Sequence, residues 1–447
     1  MSSSSRPPGI PYIIANEAAE RFSYYGMKVI LVVYMVEFLR SGSGASAPMS
    51  ESEAKTWYHL FSASNYFFPV LGALLADIFL GKYRTIISLS VFYCLGHAAL
   101  ALSDTRVGLF WGLLLIALGS GGIKPCVSAH LGDQFKGEQS PLLQKYFGYF
   151  YLAINGGAFV STLATPWLLV HFGPHVAFGV PGVLMLLATY VFYLGRHTFV
   201  ALPPAGWSAF RARVFDSAGL RRLGRLVLLY LFIAVFWALN DQTGSSWVLQ
   251  AQHLERSVSL PMAIVGLDTF KIELLPAQLQ ALNPFLIFLF VPLFSRWLFP
   301  WLNRHGHSGP LLKIGAGFFL AALSFLLLSA VEGMLSRGVT PTILWQVPAY
   351  ALMTAAEVLV YWTGLEFSYV QAPKELRSFV MGLYLLSIAL GNALTAAINA
   401  TLASDSIAGI LSGANYYLGF AALMLVTLAL YIPFARTWKV RPNESPE

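Results

Sequence analysis

Leu202-Pro203-Pro204-Ala205-Gly206-Trp207-Ser208-Ala209-Phe210-Arg211-Ala212-Arg213 opens a polar stretch that runs on through Arg221, Arg222 and Arg225. It stops where the apolar run Leu226–Leu239 begins, and it is the main punctuation of an otherwise apolar chain. Hydrophobic residues make up 57% of the 447 and charged ones 11%, where a soluble domain carries about 25%. Mean hydropathy is +0.64, so lipid rather than water solvates most of the surface. At about 20–25 residues per span the chain holds twelve helices and short loops. They are expected at 11–39, 54–80, 85–103, 107–131, 144–170, 176–195, 226–250, 277–300, 312–331, 342–367, 374–403 and 413–435. Six precede the basic stretch and six follow it.

Two six-helix halves in one membrane domain are the signature of the major facilitator architecture. The expectation is an all-α membrane protein of twelve transmembrane helices in two six-helix bundles. Residues 1–197 form the first bundle, 198–225 a cytoplasmic basic linker, and 226–447 the second bundle and a cytoplasmic tail. No internal repeat accompanies this count, so the pseudo-symmetry rests on the spans alone.

The net charge is +7, and its distribution argues against a nucleic-acid partner. With alternate loops on opposite sides, nineteen of the 28 Lys and Arg fall on the side holding both termini, six on the other, and Arg21, Lys28 and Lys124 deep in spans. The positive-inside rule then places both termini in the cytoplasm, with the cytoplasmic (plasma) membrane as the expected location and anionic lipid as a partner. Cys94 and Cys126 lie within expected spans, which implies neither a disulfide framework nor a metal site. The first apolar segment is too long and too charged for a cleavable signal, although Ala45-Ser46-Ala47 mimics a cleavage site in what reads as an extracytoplasmic loop.

The first span carries Glu17, Glu20, Arg21, Tyr24 and Lys28 within about 100° of helical arc. Charge at membrane depth costs several kcal/mol and persists where it meets a partner or a watery path. His59 and Tyr66 share a face of span two, and Lys124 follows Gly121-Gly122-Ile123 in span four. Trp237 and Asp241 lie four apart in span seven, while Gln346, Tyr350, Thr354, Glu357 and Tyr361 line one face of span ten. A cavity facing these helices would be positive on one half and negative on the other. Duller readings stand beside this one. Glu17 is only about 9 Å along the helix from Pro11 and within reach of interfacial water. Lys28 and Lys124 can snorkel, His59 can be interfacial, and the tyrosines can be packing or belt residues. Asp241 can cap a helix break at Gly244. Glu357, mid-helix in an apolar stretch, needs a partner, a proton or a ligand. Gly119-Ser120-Gly121-Gly122 sits inside an apolar span and reads as close helix packing rather than a phosphate loop. No metalloprotease, nucleophile-elbow or dinucleotide motif appears, so no enzyme is expected.

Glu17-Ala-Ala-Glu20-Arg21-Phe22-Ser23-Tyr24-Tyr25-Gly26 resembles the span-one motif of the proton-dependent oligopeptide transporter family. Phe150-Tyr151-Leu-Ala-Ile154-Asn155-Gly156-Gly157 is similar to its span-five signature, with Gly157 where serine is common. Gly121-Gly122-Ile123-Lys124-Pro125, Phe236-Trp237-Ala-Leu-Asn240-Asp241-Gln242, Asn283-Pro284 and Glu357-Val-Leu-Val also resemble the family pattern, so the likeness covers all twelve spans. Gly72 through Asp77, Gly81, Lys82 and Arg84 resembles the superfamily's gating loop, with Asp77, Lys82 and Arg84 as the gate and a topogenic basic loop as the alternative.

The resemblance implies proton-coupled symport of di- and tripeptides into the cytoplasm by alternating access, with protons as coupling ion, no cofactor or metal, and a functional monomer. It implies that Arg21 and Lys124 face the peptide carboxylate and Glu357 its amino terminus. Asn155 and Asn283 then contact the peptide, and Tyr24, Tyr25, Tyr66 and Trp237 line the pocket. Glu17, Glu20, Arg21, Lys124, His59 and Asp241 carry proton coupling, the empty site pairing span-one carboxylates with Lys124 and Asp241 with His59. Departures are the linker, too short for the two extra helices of many bacterial members, Tyr384 where tryptophan is usual, and Asp241 in place of the longer glutamate of some relatives. A facilitator for nitrate, an amino acid or a sugar is the alternative, and a membrane sensor is a weaker one.

Overall fold

The computed structural model describes residues 7–135, 140–200, 202–204, 206–207, 217–260, 270–305, 309–371, 377–402 and 411–438. Nearly every long segment is helical, because only a helix or a closed barrel satisfies its own backbone polar groups in lipid.

Helix α1 (Ile10–Glu37) has Pro11 in its first turn, where a missing N–H costs no bond. Helix α2 (Glu51–Leu74) opens with Glu51 and Glu53 at its positive end and continues as a π-helical segment, Leu75–Leu80, ended by Gly81 at φ 76°. Helix α3 (Lys82–Leu102) follows, then α4 (Arg106–Asp133), whose N-cap Thr105 accepts from the Gly108 N–H at 3.2 Å. Helix α5 (Ser140–Leu194) is continuous on paper but bends at Gly173 (φ 78°, ψ 177°), where Pro174 follows. The expected spans 144–170 and 176–195 meet at that bend.

The second half runs α6 (Ser217–Asn240), a 3-10 turn at Asp241–Gly244, and α7 (Ser246–Gln252). A short antiparallel hairpin follows, β1 (Ser257–Leu260) against β2 (Phe270–Glu273) with Val258 opposite Ile272. Next come α8 (Leu282–Leu293), a π segment at Phe294–Leu298 and α9 (Phe299–Arg304). Then follow α10 (Pro310–Leu335), α11 (Gln346–Glu357), a π segment at Val358–Trp362 and α12 (Thr363–Gln371). Helices α13 (Arg377–Leu402) and α14 (Ala414–Thr437) end the chain.

Among the described residues ten helical stretches are long and apolar enough to cross a membrane. One of them, Lys145–His197, contains the Gly173 bend, and α1 is a further 28-residue helix set apart by its charges. The hairpin and the three π segments were not expected. A π turn adds one residue without changing the apolar pattern much, so hydropathy does not register it.

The chain divides into two compact units: Met1–Ser50 with Leu60–Arg213, and Glu51–His59 with Val214–Glu447. The linker arginines Arg211 and Arg213 lie outside the described residues. In the first unit α5 packs on α1 so closely that a Cβ on Gly157 would lie 2.6 Å from the Ala18 carbonyl oxygen. Serine, common at this place, would not fit without a shift.

Candidate functional site

In the first unit, the charged stripe of α1 points inward. Glu17, Glu20 and Arg21 are 2%, 1% and 7% exposed, which rules out interfacial water as the partner of Glu17. Arg21 Nε donates to Glu17 Oε1 at 2.8 Å and lies 2.7 Å from Glu20 Oε2. Ser120 Oγ, on α4, donates to Glu20 Oε1 at 3.2 Å. One guanidinium thus holds two carboxylates. Removing Arg21 would leave two buried carboxylates facing each other, and breaking a buried pair costs about 3–5 kcal/mol.

Lys124 is placed by glycines. A Cβ on Gly72 of α2 would fall on the backbone of Gly122 of α4, so glycine at both places lets the two helices meet two residues before Lys124. The Lys124 ammonium lies 4.1 Å from the ring centroid of Tyr24 and 4.9 Å from that of Tyr66. Arg21 takes both carboxylates, and Lys124 rests on π faces within electrostatic range of Glu20 and Glu17. A desolvated cation–π contact is worth about 2 kcal/mol, whereas a carboxylate at ~4 Å attracts by about 4 at an effective dielectric of 20. Tyr24 is held in place by Asn65 Nδ2, which donates to its hydroxyl at 2.8 Å, and by Tyr25, edge-on at 5.3 Å. Asn155 is 8% exposed and donates to the Tyr151 carbonyl at 2.9 Å.

In the second unit, His59 is fully buried, not interfacial. Its Nδ1 meets Asn392 Oδ1 at 2.8 Å and its Nε2 meets Ser245 Oγ at 2.9 Å. Asn392 Nδ2 donates to Asp241 Oδ2 and to the Ile388 carbonyl. Both of those partners accept only, so the amide nitrogen is pinned toward them and its oxygen toward His59. His59 must then carry a hydrogen on Nδ1 and, when neutral, accept from the Ser245 hydroxyl at Nε2. Asp241 begins the 3-10 turn that breaks the seventh span, so it stands at the helix break as well as in this network.

Glu357 ends α11 where the π segment begins. Asn283 Nδ2 donates to Glu357 Oε2 at 2.6 Å and to Thr354 Oγ1 at 3.3 Å. Trp237, 5% exposed, meets Tyr361 edge-on at 5.7 Å. Tyr384, the departure at span eleven, is fully buried, and its hydroxyl donates to the carbonyls of Tyr361 at 3.1 Å and Val360 at 3.4 Å. Those carbonyls belong to the π segment beside Glu357. A Tyr384→Phe variant loses this hydroxyl at a cost of about 1 kcal/mol. Its thermal unfolding in detergent is expected to shift down, and an unchanged midpoint refutes the role.

At the loop after α2, Lys82 pairs with Asp133 at 2.6 Å, at the end of α4, while Asp77 and Arg84 are exposed. The carboxylate partner of Lys82 is thus Asp133 rather than Asp77. Sequence reasoning missed Ser120, Asn65, Asp133, Ser245 and Asn392. One signal was available: Tyr384, Asn392, Thr395 and Asn399 are spaced eight, three and four apart, a polar stripe on span eleven.

Residues 83–216 and 210–417 match the POT family. The chain is 38% identical over 388 residues to solute carrier family 15 member 2 of Rattus norvegicus, covering 76% of this chain and 50% of that protein. It is 40% identical over 372 residues to peptide transporter family 1 of Drosophila melanogaster, covering 73% and 48%. The chain thus spans about half the length of these curated relatives. A crystal structure of an auto-inhibited POT family peptide transporter superposes with TM-score 0.87 at 31% identity, covering 99% of both chains. The motifs on spans one, four, five, seven and ten, the largely helical fold and these matches agree, and the chain belongs to the POT family.

Proposed function

We propose that this chain couples proton entry to the uptake of di- and tripeptides by alternating access. It works as a monomer in the plasma membrane, with both termini cytoplasmic. The observation that carries the reading is the buried Glu17–Arg21–Glu20 cluster beside the Lys124 ammonium, which lies against the faces of Tyr24 and Tyr66.

A zwitterionic peptide offers a carboxylate and an ammonium, and each added residue lengthens it by about 3.5 Å. Protonating a span-one carboxylate weakens its hold on Arg21. The freed guanidinium and Lys124 then bind the peptide carboxylate, for which the Tyr24 and Tyr66 faces are weaker competitors. The peptide ammonium takes Glu357, displacing the amide of Asn283, which turns to the peptide backbone with Asn155. Tyr25 and Trp237 give apolar walls that accept varied side chains. Termini and backbone are read; side chains are mostly tolerated.

His59, Asn392 and Asp241 form the second proton locus. Asn392→Leu removes the amide joining the imidazole to the carboxylate. Proton-driven uptake is expected to fall at least tenfold with an altered pH profile, while peptide exchange without a gradient persists. A wild-type pH profile would refute the link. Lys82 with Asp133 is proposed to act at the gate, with Asp77 and Arg84 exposed beside it.

The direct test is uptake of labelled dialanine into liposomes under an inward proton gradient. Accumulation that an uncoupler abolishes and excess tripeptide blocks supports the proposal. Folded protein without flux points to another solute, such as nitrate, an amino acid or a sugar.

A further inference from the structure

We propose that the membrane-facing surface of α8, its π segment and α9 is a headgroup site for an anionic phospholipid. A cavity of about 480 Å³ lies on this stretch, lined by Leu293, Arg296, Trp297, Trp301 and Arg304 among others. Trp297 and Trp301 are 69% and 55% exposed, and the His305 ring lies tilted against Trp301 at 4.6 Å. Neither Arg296 nor Arg304 forms an ion pair with a described residue, so the cavity presents two uncompensated guanidiniums.

Three features fix the chemistry of the occupant. Guanidinium forks match the oxygens of a phosphodiester, and two of them favour a headgroup with net negative charge. Indole rings at the end of a span belong at headgroup depth. Above the cavity Phe285, Leu289 and Leu293 recur every four residues, 56%, 53% and 44% exposed, an apolar track about 12 Å long for an acyl chain. The rings alone would also attract a choline ammonium, but the two adjacent cations oppose it. A phosphatidylglycerol-type lipid fits; a phosphatidylcholine does not.

The site needs only that the helix spans a membrane, so its failure leaves the peptide reading untouched. The test is native mass spectrometry of the purified full-length chain in neutral detergent, with phosphatidylglycerol, phosphatidylcholine or inorganic phosphate added. Phosphatidylglycerol is expected to be retained at least tenfold better than phosphatidylcholine, and Arg296→Gln/Arg304→Gln is expected to lose that preference. Equal retention of the two lipids by the wild-type chain overturns the proposal, and so does an unchanged preference in the double variant. Inorganic phosphate that displaces the lipid completely would mark a site for a free anion and also overturn it. Should the double variant misfold, the wild-type comparison of the two lipids still decides.

Discussion

In liposomes under an inward proton gradient, Glu20→Gln protein is expected to accumulate no peptide above equilibrium, while exchange of peptide for peptide continues. Glu20 is one of two carboxylates on a single guanidinium, so the variant leaves Arg21 paired with Glu17 and keeps the cluster folded. Glutamine still accepts from Ser120 but takes up no proton, and the step that would release Arg21 is lost. The size of the effect follows from the driving force. One proton crossing ~100 mV contributes about 2.3 kcal/mol, and each pH unit about 1.4 more. Together that supports concentration of a few hundred-fold, all of which should vanish. Full gradient-driven accumulation by the variant would remove Glu20 from the coupling step.

Glu357→Gln is expected to weaken binding of free-amino peptides by roughly ten- to hundredfold, the worth of a charge-assisted hydrogen bond of about 1.5–3 kcal/mol. N-acetylated peptides should change little, because they bring no ammonium. The pairing of Asn283 with Glu357 makes the contrast clean. A glutamine at 357 still accepts from Asn283, so the local structure persists and only the charge is lost. Competition of each peptide against labelled dialanine measures both affinities. Equal losses for blocked and free peptides would sink the assignment of Glu357 to the amino terminus.

Much of this protein was legible in its residue order, and the illegible parts have a common cause. The boundary between the expected spans 144–170 and 176–195 could be read from hydropathy, and the structure places it at Gly173 (φ 78°), before Pro174. The buried stripe of α1 could also be read, because helical spacing puts Glu17, Glu20 and Arg21 together without help from other segments. Lys124 and His59 were identified, but their partners were not. Tyr24 and Tyr66 lie far from Lys124 in the chain, and Asn392 lies 333 residues from His59. No periodicity within one helix points to such partners.

Residue order by itself determined the membrane class, the helical fold and the inward face of α1. Lipid leaves the backbone no alternative to helix, and burying a charge is costly enough to orient a helix on its own. Tertiary structure decided which charge meets which partner: Arg21 with both glutamates, Lys124 with aromatic rings, Lys82 with Asp133, and His59 with Asn392 and Ser245. Those choices turn on contacts of 3–4 Å between distant helices, set by glycine approaches and by π turns that displace a side chain by one residue. Hydropathy averages over both.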